Sequence, residues 1–415
     1  MDIRCGLLGE KLGHSYSPLI HSMLGNYEYV LYEKQEKDLE AFLLRGDWTG
    51  LNVTIPYKKK VLAYCSELSE VARTIGSVNT LVRRKDGSLF GDNTDAYGFR
   101  FLLDQNQVEV SGKKALILGS GGACASVRYV LEKGGAETVV ISRSGEDNYE
   151  NLERHKDAAV IVNTTPVGMY PRNGESPVDL TVFSSPEAVL DVIYNPARTA
   201  LMLQAEELGI RTDNGLLMLV AQAYKSSEAF RGGSGTGQTE EGNEAQQQIL
   251  QIHRTLSFRM QNLILIGMPG CGKTLVSRTL GELTGREAAD LDDLFAETYG
   301  MTAGDYILQH GEEAFRKMET EVIREACKGS GRILATGGGC VTRPENYPLL
   351  HQNGRIIWLR RDLSRLATEG RPLSMQVPAE QMYQVRKPLY EAFADIIVDN
   401  DGDAGETAQR ILEMA

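Results

Sequence analysis

The feature that most constrains the fold is a glycine-rich stretch past the middle of the chain, which reads Gly267-Met268-Pro269-Gly270-Cys271-Gly272-Lys273-Thr274. It fits the pattern G-x-x-x-x-G-K-[ST], and it lies between the apolar run Leu263–Ile266 and an amphipathic segment that ends at Gly285. A strand, a loop and a helix in this order are the context that a phosphate-binding loop requires. Because this site begins past residue 260, the residues before it must form something else.

The residues of this loop have separate expected roles at a bound nucleotide. The backbone N–H groups around Gly267, Gly270 and Gly272 can turn toward phosphate oxygens at the N-terminus of a helix. Lys273 is expected to reach the β- and γ-phosphates, and Thr274 to place its hydroxyl on Mg²⁺. A glycine-rich turn that binds nothing is the alternative, but the flanking strand and helix argue against it.

Length and charge bound the remaining possibilities. A chain of 415 residues suggests about two to three domains. The net charge of −12 argues against nucleic acid or a membrane surface as the main partner, and it means that an anionic substrate needs local basic residues. The six cysteines show no metal-ligand spacing, and every apolar run is shorter than the roughly 18 residues of a membrane span. We therefore expect a cytoplasmic protein. The sequence carries no signal for an oligomeric state.

Strand ends rich in small polar residues characterise the first hundred positions. After a predicted strand over Ile3–Leu8, Ser17 can cap a helix that has Pro18 at its first position, which leaves Ser15 as the better candidate for a ligand contact. Further along, Asn79 stands at the start of another predicted strand. Several polar strand ends of this kind suit a small polyhydroxylated ligand.

A lysine follows the strand predicted over Gly50–Ile55. The polar side chains of Asn52 and Thr54 face the same way on that strand, and Lys58 opens a predicted helix just beyond it. Its position singles out Lys58 among three adjacent lysines, although most such lysines are solvated surface residues. The sequence alone leaves both roles open.

A second polar cluster precedes the helix predicted from Ala96 to about Asn106. Either Thr94 or Asp95 can cap that helix. Capping explains one of these residues but not the whole cluster, so the other is a candidate for the ligand site.

From Lys114 the sequence pattern becomes typical of a dinucleotide-binding domain. After a buried strand at Ala115–Leu118, a glycine-rich turn opens a helix and offers backbone groups to a pyrophosphate through Gly119, Gly121, Gly122 and Ala123. The next strand ends at Arg143, where an arginine suits the 2′-phosphate of NADP. Glu146 and Asp147 follow closely, so NAD stays open as the alternative cofactor.

In this order the pieces resemble shikimate dehydrogenase over roughly residues 1–258. The matching segments are His14-Ser15-x-Ser17-Pro18, Asn52-Val53-Thr54-x-Pro56-x-Lys58, Val78-Asn79-Thr80, Gly91-Asp92-Asn93-Thr94-Asp95, Gly119-x-Gly121-Gly122-Ala123, Asn163-x-Thr165-x-x-Gly168-Met169 and Gly215-x-x-Met218-Leu219-Val220-x-Gln222-Ala223. The family implies reversible, NADP(H)-dependent reduction of 3-dehydroshikimate to shikimate.

The resemblance also assigns roles to individual positions. It implies a catalytic pair of Lys58 and Asp95, substrate contacts at Ser15, Ser17, Thr54, Asn79 and Gln222, and cofactor contacts at the turn after the buried strand, Arg143, Thr165 and Gly215. The chemistry fits the pair, because the alkoxide that forms when hydride reaches the ketone needs a proton or a cation. Which member of the pair mainly transfers the proton stays open.

Two positions depart from the family pattern. Ala96 stands where the family usually has glycine after Asn-Thr-Asp, and Asp147 stands where a second basic residue often helps to hold the 2′-phosphate. The first is expected to shift the backbone slightly, and the second weakens the expected grip on NADP. A polar, glycine-rich loop at 231–242 precedes a predicted last helix of this part, and we expect the boundary near Ser257–Gln261.

Beyond the phosphate loop, acidic residues, glycines and arginines recur at strand ends. Asp290 and Asp292 lie close to the expected polyphosphate, where helix capping explains only one acid. Three glycines end the next strand, where the backbone must approach a ligand closely. On the helix that begins near Glu312, ordinary surface charge is one interpretation of Glu319 and Arg324.

This second set resembles shikimate kinase across roughly residues 260–415, and so implies phosphoryl transfer from ATP to the 3-hydroxyl of shikimate. The resemblance implies shikimate contacts at Asp292, Arg316, Gly338, Gly339 and Arg386, with Asp292 as the proton acceptor. Lys273 and Arg371, the latter in a short lid near Ser364–Gln376, are the implied catalytic cations, and Thr274 and Asp290 the metal-binding residues.

The predicted fold class is α/β. We expect a substrate domain at 1–108 that is completed by 215–258, a Rossmann-type NADP domain at 109–214, and a P-loop domain of the nucleoside-monophosphate-kinase type at 259–415. The expected function is bifunctional, with small-molecule substrates and no nucleic-acid partner. Two alternatives remain: one half is a non-catalytic binding or regulatory module, or the second half is a nucleotide or gluconate kinase.

Overall fold

The computed structural model describes residues 3–13, 15–232, 243–366 and 378–414. The chain divides into two compact units. The first comprises Met1–Tyr194 and Gln204–Thr255, and the second comprises Asn195–Leu203 and Leu256–Ala415.

The first unit begins with a mixed sheet. Its strands are β1 (Arg4–Gly9), β2 (Glu28–Glu33), β3 (Gly50–Val53), β4 (Glu67–Leu68), β5 (Thr80–Arg83) and β6 (Leu89–Asp92). The order across the sheet is β2-β1-β3-β5-β6-β4; β1 pairs in parallel with β2 and β3, whereas β5 is antiparallel to β3 and β6. The accompanying helices are α1 (Ser17–Leu24), α2 (Glu36–Arg45), α3 (Glu70–Ile75) and α4 (Asp95–Gln105).

A parallel sheet follows in the same unit. Its strands are β7 (Lys114–Leu118), β8 (Glu137–Ile141), β9 (Val160–Asn163), β10 (Ala188–Asp191) and β11 (Arg211–Asp213), in the order β11-β10-β9-β7-β8. The strand β7 is a continuous apolar run because both faces of a parallel sheet are covered, and Ala115 through Leu118 are fully buried. The strand order reverses at β7, so the crevice between β7 and β9 is where a sheet of this kind binds its ligand.

The remaining helices of this region are α5 (Cys124–Lys133), α6 (Ala200–Glu207), α7 (Leu216–Phe230) and α8 (Asn243–Met260). The helices α4 and α7 pack closely where Gly98 faces α7: a Cβ at Gly98 would lie 2.4 Å from the carbonyl oxygen of Met218. This close approach brings the first residue of α4 near the side chains of α7.

The second unit contains another parallel sheet. Its strands are β12 (Asn262–Ile266), β13 (Ala288–Asp290), β14 (Ile333–Ala335), β15 (Gly354–Arg360) and β16 (Ile396–Asp399), in the order β13-β14-β12-β15-β16. Its helices are α9 (Lys273–Thr284), α10 (Leu291–Tyr299), α11 (Ala303–His310), α12 (Glu312–Ala326), α13 (Asn346–His351), α14 (Ala379–Phe393) and α15 (Ala404–Met414). Strand–helix alternation around these sheets confirms the predicted α/β class.

The structure corrects two local predictions. Ser17 does not cap α1: it is the first helical residue, and its N–H donates to the Oγ of Ser15 at 3.2 Å, so the serine two positions earlier takes the capping bond. Lys58 does not open an α-helix but lies in a turn before a 3₁₀ helix at Lys60–Tyr64. None of the helices in the described ranges has the length and apolarity that crossing a bilayer requires.

Candidate active sites

A cavity of about 260 Å³ lies in the first unit, beside the ends of β1 and β3 and the start of α7. It collects the predicted catalytic pair and every predicted substrate contact of this unit. The predicted residues in its lining are Ser15, Ser17, Thr54, Lys58, Asn79, Asp95, Ala123, Gly215 and Gln222.

Lys58 and Asp95 face each other in this cavity. The Nζ of Lys58 donates to the Oδ2 of Asp95 at 2.5 Å, and the two side chains are only 21% and 12% exposed. The other carboxylate oxygen of Asp95 accepts a hydrogen bond from the Nδ2 of Asn79 at 2.8 Å. Both carboxylate oxygens of Asp95 therefore accept hydrogen bonds, and the ammonium of Lys58 lies directly beside this carboxylate.

Asn79 is the hub of the hydrogen bonds beneath this pair. Its Oδ1 accepts the N–H of Thr94 at 2.7 Å, and its Nδ2 lies 3.4 Å from the Oε1 of Gln222. The hydroxyl of Thr94 is 3.1 Å from the same Oδ1, and Thr94 occupies the N-cap position of α4 without a side-chain capping bond. The predicted N-cap position is thus confirmed for Thr94, but its hydroxyl and the Asp95 carboxylate bond Asn79 and make no capping bond.

The turn after β7 leaves room for a ligand against its backbone. Gly119 has a φ of 96°, and a Cβ there would lie 2.6 Å from the Cγ2 of Thr165, so the turn approaches the end of β9 closely. A Cβ at Gly121 would meet nothing within 4 Å, and one at Gly122 would meet only Ile55 at 3.9 Å. This open backbone surface at the β7–β9 crevice fits a dinucleotide pyrophosphate.

The end of β8 carries the residues that would face the cofactor ribose. Arg143 is exposed there. Asp147 is not a bare charge, because its Oδ1 lies 2.8 Å from the Nε2 of His155, which is largely buried. The acid that weakens the sequence case for NADP thus has a histidine partner that the sequence did not indicate.

A cavity of about 690 Å³ lies in the second unit. It joins the phosphate loop to the predicted acids, glycines and arginines. The predicted residues in its lining are Gly270, Gly272, Lys273, Thr274, Asp290, Asp292, Arg316, Gly338, Gly339 and Arg386. Gly267, the first residue of the loop, is not in this lining. A Cβ there would lie 2.5 Å from the carbonyl oxygen of Leu359. Arg371 lies outside the described residues.

The phosphate loop is held together by its own lysine. The Nζ of Lys273 donates to the backbone carbonyls of Gly267 and Met268 at 2.9 and 3.0 Å. Next to it, the hydroxyl of Thr274 donates to the Oδ2 of Asp290 at 2.6 Å. The Oδ1 of Asp290 caps α10 by accepting the N–H of Asp292 at 3.0 Å. A hydroxyl and a carboxylate in contact are ligands that Mg²⁺ takes.

The two predicted arginines reach the same cavity from different helices. A Cβ at Gly339 would lie 2.1 Å from the Nη2 of Arg316, so only glycine leaves room for that guanidinium. The Nη1 of Arg386 donates to the carbonyl of Gly338 at 3.2 Å. Both arginines are largely buried and lie near the same strand end.

Comparison with known proteins finds a family-model match in each half of the chain. Residues 7–81 match the shikimate dehydrogenase substrate-binding domain, and residues 269–415 match shikimate kinase. The shikimate dehydrogenase (NADP(+)) of Clostridium perfringens strain SM101 is 37% identical over 249 residues, which cover 55% of this chain and 92% of that protein.

The chain belongs to the shikimate dehydrogenase family.

Solved structures agree with this assignment. A chorismate mutase/shikimate 5-dehydrogenase fusion protein from Clostridium acetobutylicum superposes with a TM-score of 0.55 at 36% identity, covering 62% of this chain and 97% of that one. Shikimate 5-dehydrogenase from Thermus thermophilus, in complex with NADP(H) and shikimate, gives a TM-score of 0.52 at 28% identity and covers 60% of this chain and 99% of that one. The chain is thus a bifunctional shikimate-pathway enzyme that carries a dehydrogenase and a kinase domain.

The dehydrogenase cavity also contains residues to which the sequence gave no role. Asn52 lines it and accepts a hydrogen bond from the hydroxyl of Tyr29 at 2.8 Å. The Tyr29 ring stacks on His21 with the ring centroids 3.9 Å apart, and burial lowers the pKa of His21 to about 3. Tyr194, which follows β10, lines the cavity as well. Its position after a strand end was the available signal.

In the kinase cavity, the surface-charge interpretation does not hold for Glu319. Glu319 is 4% exposed, lines the cavity, and accepts a hydrogen bond from the Nη1 of Arg316 at 2.7 Å. Its Oε1 is buried without a partner in the described part of the chain. Burial raises the pKa of the Glu319 carboxyl, and the nearby Arg316 offsets this only in part.

Proposed function

We propose that this enzyme reduces 3-dehydroshikimate to shikimate with NADPH and then phosphorylates the 3-hydroxyl of shikimate with ATP. The observation that carries the proposal is the 2.5 Å contact between Lys58 and Asp95 inside a cavity lined with hydroxyl and amide groups. The NADP(+) specificity in the name of the Clostridium perfringens relative, and the shikimate in the Thermus thermophilus complex, support the first activity.

In the reduction, the chain holds the ketone and supplies a proton. NADPH, when bound at the turn after β7, supplies hydride to the ketone carbon. Lys58 then stands ready to protonate the developing alkoxide, while Asp95 holds the ammonium in place. Hydrogen bonds to the substrate's hydroxyl and carboxylate groups come from Ser15, Ser17, Thr54, Asn79 and Gln222. Arg143 favours NADP over NAD, because a guanidinium matches the additional phosphate.

In the phosphorylation, the work is mainly positioning and charge compensation. Lys273 exchanges the carbonyls of its own loop for the phosphates of ATP. Arg316 and Arg386 grip the shikimate carboxylate, which offsets the net negative charge of the chain. Asp292 accepts the proton of the attacking hydroxyl. Thr274 and Asp290 would hold Mg²⁺, which neutralises phosphate charge when bound, and Arg371 is the proposed lid cation.

The test of the reduction follows the absorbance of NADPH in the presence of 3-dehydroshikimate. Lys58→Ala is expected to lower the dehydrogenase rate at least about a hundredfold, since it removes the proton donor. The matched control is Lys59→Ala, an exposed neighbour, and both variants should keep wild-type kinase activity. Full reduction by Lys58→Ala would refute the assigned role, and a wild-type chain that oxidises NADH as well as NADPH would refute the cofactor preference.

The test of the kinase measures ADP release with shikimate and with gluconate. Release with shikimate alone supports the proposal, whereas release with gluconate alone would assign a different kinase. If neither releases ADP, the second half acts as a binding module.

The domain limits and the location stay proposals too. We propose a substrate domain at 1–108 with 215–258, an NADP domain at 109–214, a kinase domain at 259–415, and a cytoplasmic enzyme. Expression of 1–258 and 259–415 as separate chains tests the limits, because each should fold and keep its own activity.

A further inference from the structure

Arg361 stands at the phosphate loop without any assigned role. It directly follows β15 and lines the kinase cavity. Its Nη1 lies 3.4 Å from the place that a Cβ on Gly272 would occupy, which puts the guanidinium against the residue just before Lys273.

The neighbouring arginines show what makes Arg361 unusual. Arg360 forms a two-pronged ion pair with Asp399, with distances of 2.5 and 2.9 Å. Arg365 donates to the carbonyl of Asp401 at 2.7 Å. Within the described ranges Arg361 makes neither an ion pair nor a hydrogen bond, and its Nε is buried without a partner. A buried donor on a cation carries a desolvation cost that a bound anion would remove.

Asn400 lies beside Gly272 on the same side as Arg361, and its polar atoms already have other partners. The Nδ2 of Asn400 donates to the carbonyl of Cys271 at 2.7 Å, and the Oδ1 of Asn400 accepts the hydroxyl of Thr407 at 2.8 Å. Asn400 therefore secures the loop backbone on this side, and its amide oxygen bonds Thr407 and not the guanidinium. A ligand in the cavity can supply the anion that Arg361 lacks within the described residues.

We propose that Arg361 binds the phosphate chain of the nucleotide from the β15 side of the loop, as a second cation beside Lys273. A guanidinium presents paired N–H donors that match phosphate oxygens, and it keeps its charge at any physiological pH. The proposal deepens the proposed kinase function and rests on it. Arg361 acts through its contact with ATP and has no part in shikimate binding.

The experiment compares Arg361→Met with Arg360→Met in the full chain. Loss of one charge-assisted phosphate contact raises KM for ATP about tenfold or more in Arg361→Met and leaves KM for shikimate unchanged. Arg360→Met, which loses only an exposed pair, should match the wild type. Arg361→Lys restores part of the ATP affinity, because it returns a point charge without the fork. Dehydrogenase activity, measured on the same preparations, reports whether the first half of each variant is folded.

Calorimetric titration with ATP, ADP and AMP separates the possible outcomes. Equal ATP affinity in Arg361→Met and Arg360→Met overturns the proposal and makes Arg361 a solvated residue. A parallel loss for ATP and shikimate that Arg361→Lys does not relieve also overturns it, because that result indicates damage to the domain. If the wild-type chain binds ATP but does not phosphorylate shikimate, the proposed kinase function fails while the titration still tests Arg361.

Discussion

In the dehydrogenase cavity Lys58 pairs with a carboxylate 2.5 Å away, whereas in the kinase cavity Lys273 donates to two backbone carbonyls of its own loop. Arg386 likewise contacts a carbonyl, and Arg361 has no partner in the described part of the chain. A carboxylate partner holds the first lysine in place for proton transfer. Carbonyl partners bind a cation more weakly than phosphates do, so Lys273 and Arg386 are ready for exchange onto an anionic ligand. Arg316 of the same cavity is instead paired with Glu319.

The largest expected effect comes from Lys273, which is proposed to exchange its two carbonyl partners for phosphate oxygens. Lys273→Ala should lower kinase turnover about a thousandfold, because no other group of the loop carries a positive charge to the transferred phosphate. Dehydrogenase turnover should not change. The measurement is ADP release beside NADPH oxidation on one preparation, with the exposed Lys317→Ala as the control. A loss of less than tenfold would mean that Lys273 serves only the loop's own structure.

The next largest effect concerns Asp95, the carboxylate partner of Lys58. Asp95→Asn keeps the shape and the contact with Asn79 but removes the carboxylate charge, and we expect dehydrogenase kcat to fall about a hundredfold. The exposed Asp104→Asn, on the same helix, is the control. If both variants keep wild-type kcat, the pairing of Lys58 is incidental to catalysis.

The groups that support the two cavities should respond to pH with opposite signs. Next to the dehydrogenase cavity, where His21 stacks on the tyrosine that bonds Asn52, burial lowers the pKa of His21 from 6.5 to about 3, so between these values the unfolded chain binds a proton that the folded chain does not. Stability is therefore lost as pH falls below 6.5, by about 1.4 kcal/mol per pH unit. His21→Gln should remove this slope in urea unfolding followed at several pH values. Parallel curves for the two proteins would contradict a neutral, buried His21.

The smallest effect is the opposite dependence at Glu319. Burial raises its pKa above 4.5, so the folded chain keeps a proton that the unfolded chain has released. Stability of the kinase unit should fall as pH rises through the window that begins at 4.5. Glu319→Gln should flatten this dependence in the unfolding transition that added ATP shifts to higher temperature. The comparison is between slopes, because the substitution also alters the pair with Arg316.

How much the sequence could predict depends on whether the signal is local. The phosphate loop and the turn after β7 were identifiable because glycine spacing and a preceding apolar run are read from neighbouring residues. Glu319 and Arg316 stand three positions apart on α12, and that spacing looks the same for an exposed pair and a buried one. Only the packing of α12 distinguishes the two cases. Nothing in the sequence pointed to Arg361 either, because its proposed role rests on the absence of a partner within the described residues.

Asp290 has a consequence of its own, because its two oxygens serve different neighbours. One accepts the hydroxyl of Thr274 and the other starts the helix that carries Asp292. An ion bound at the first oxygen would therefore lie one side chain away from the backbone N–H of Asp292, the residue proposed to receive the hydroxyl proton. Binding of the ion and the position of Asp292 would thus be coupled through the side chain of Asp290.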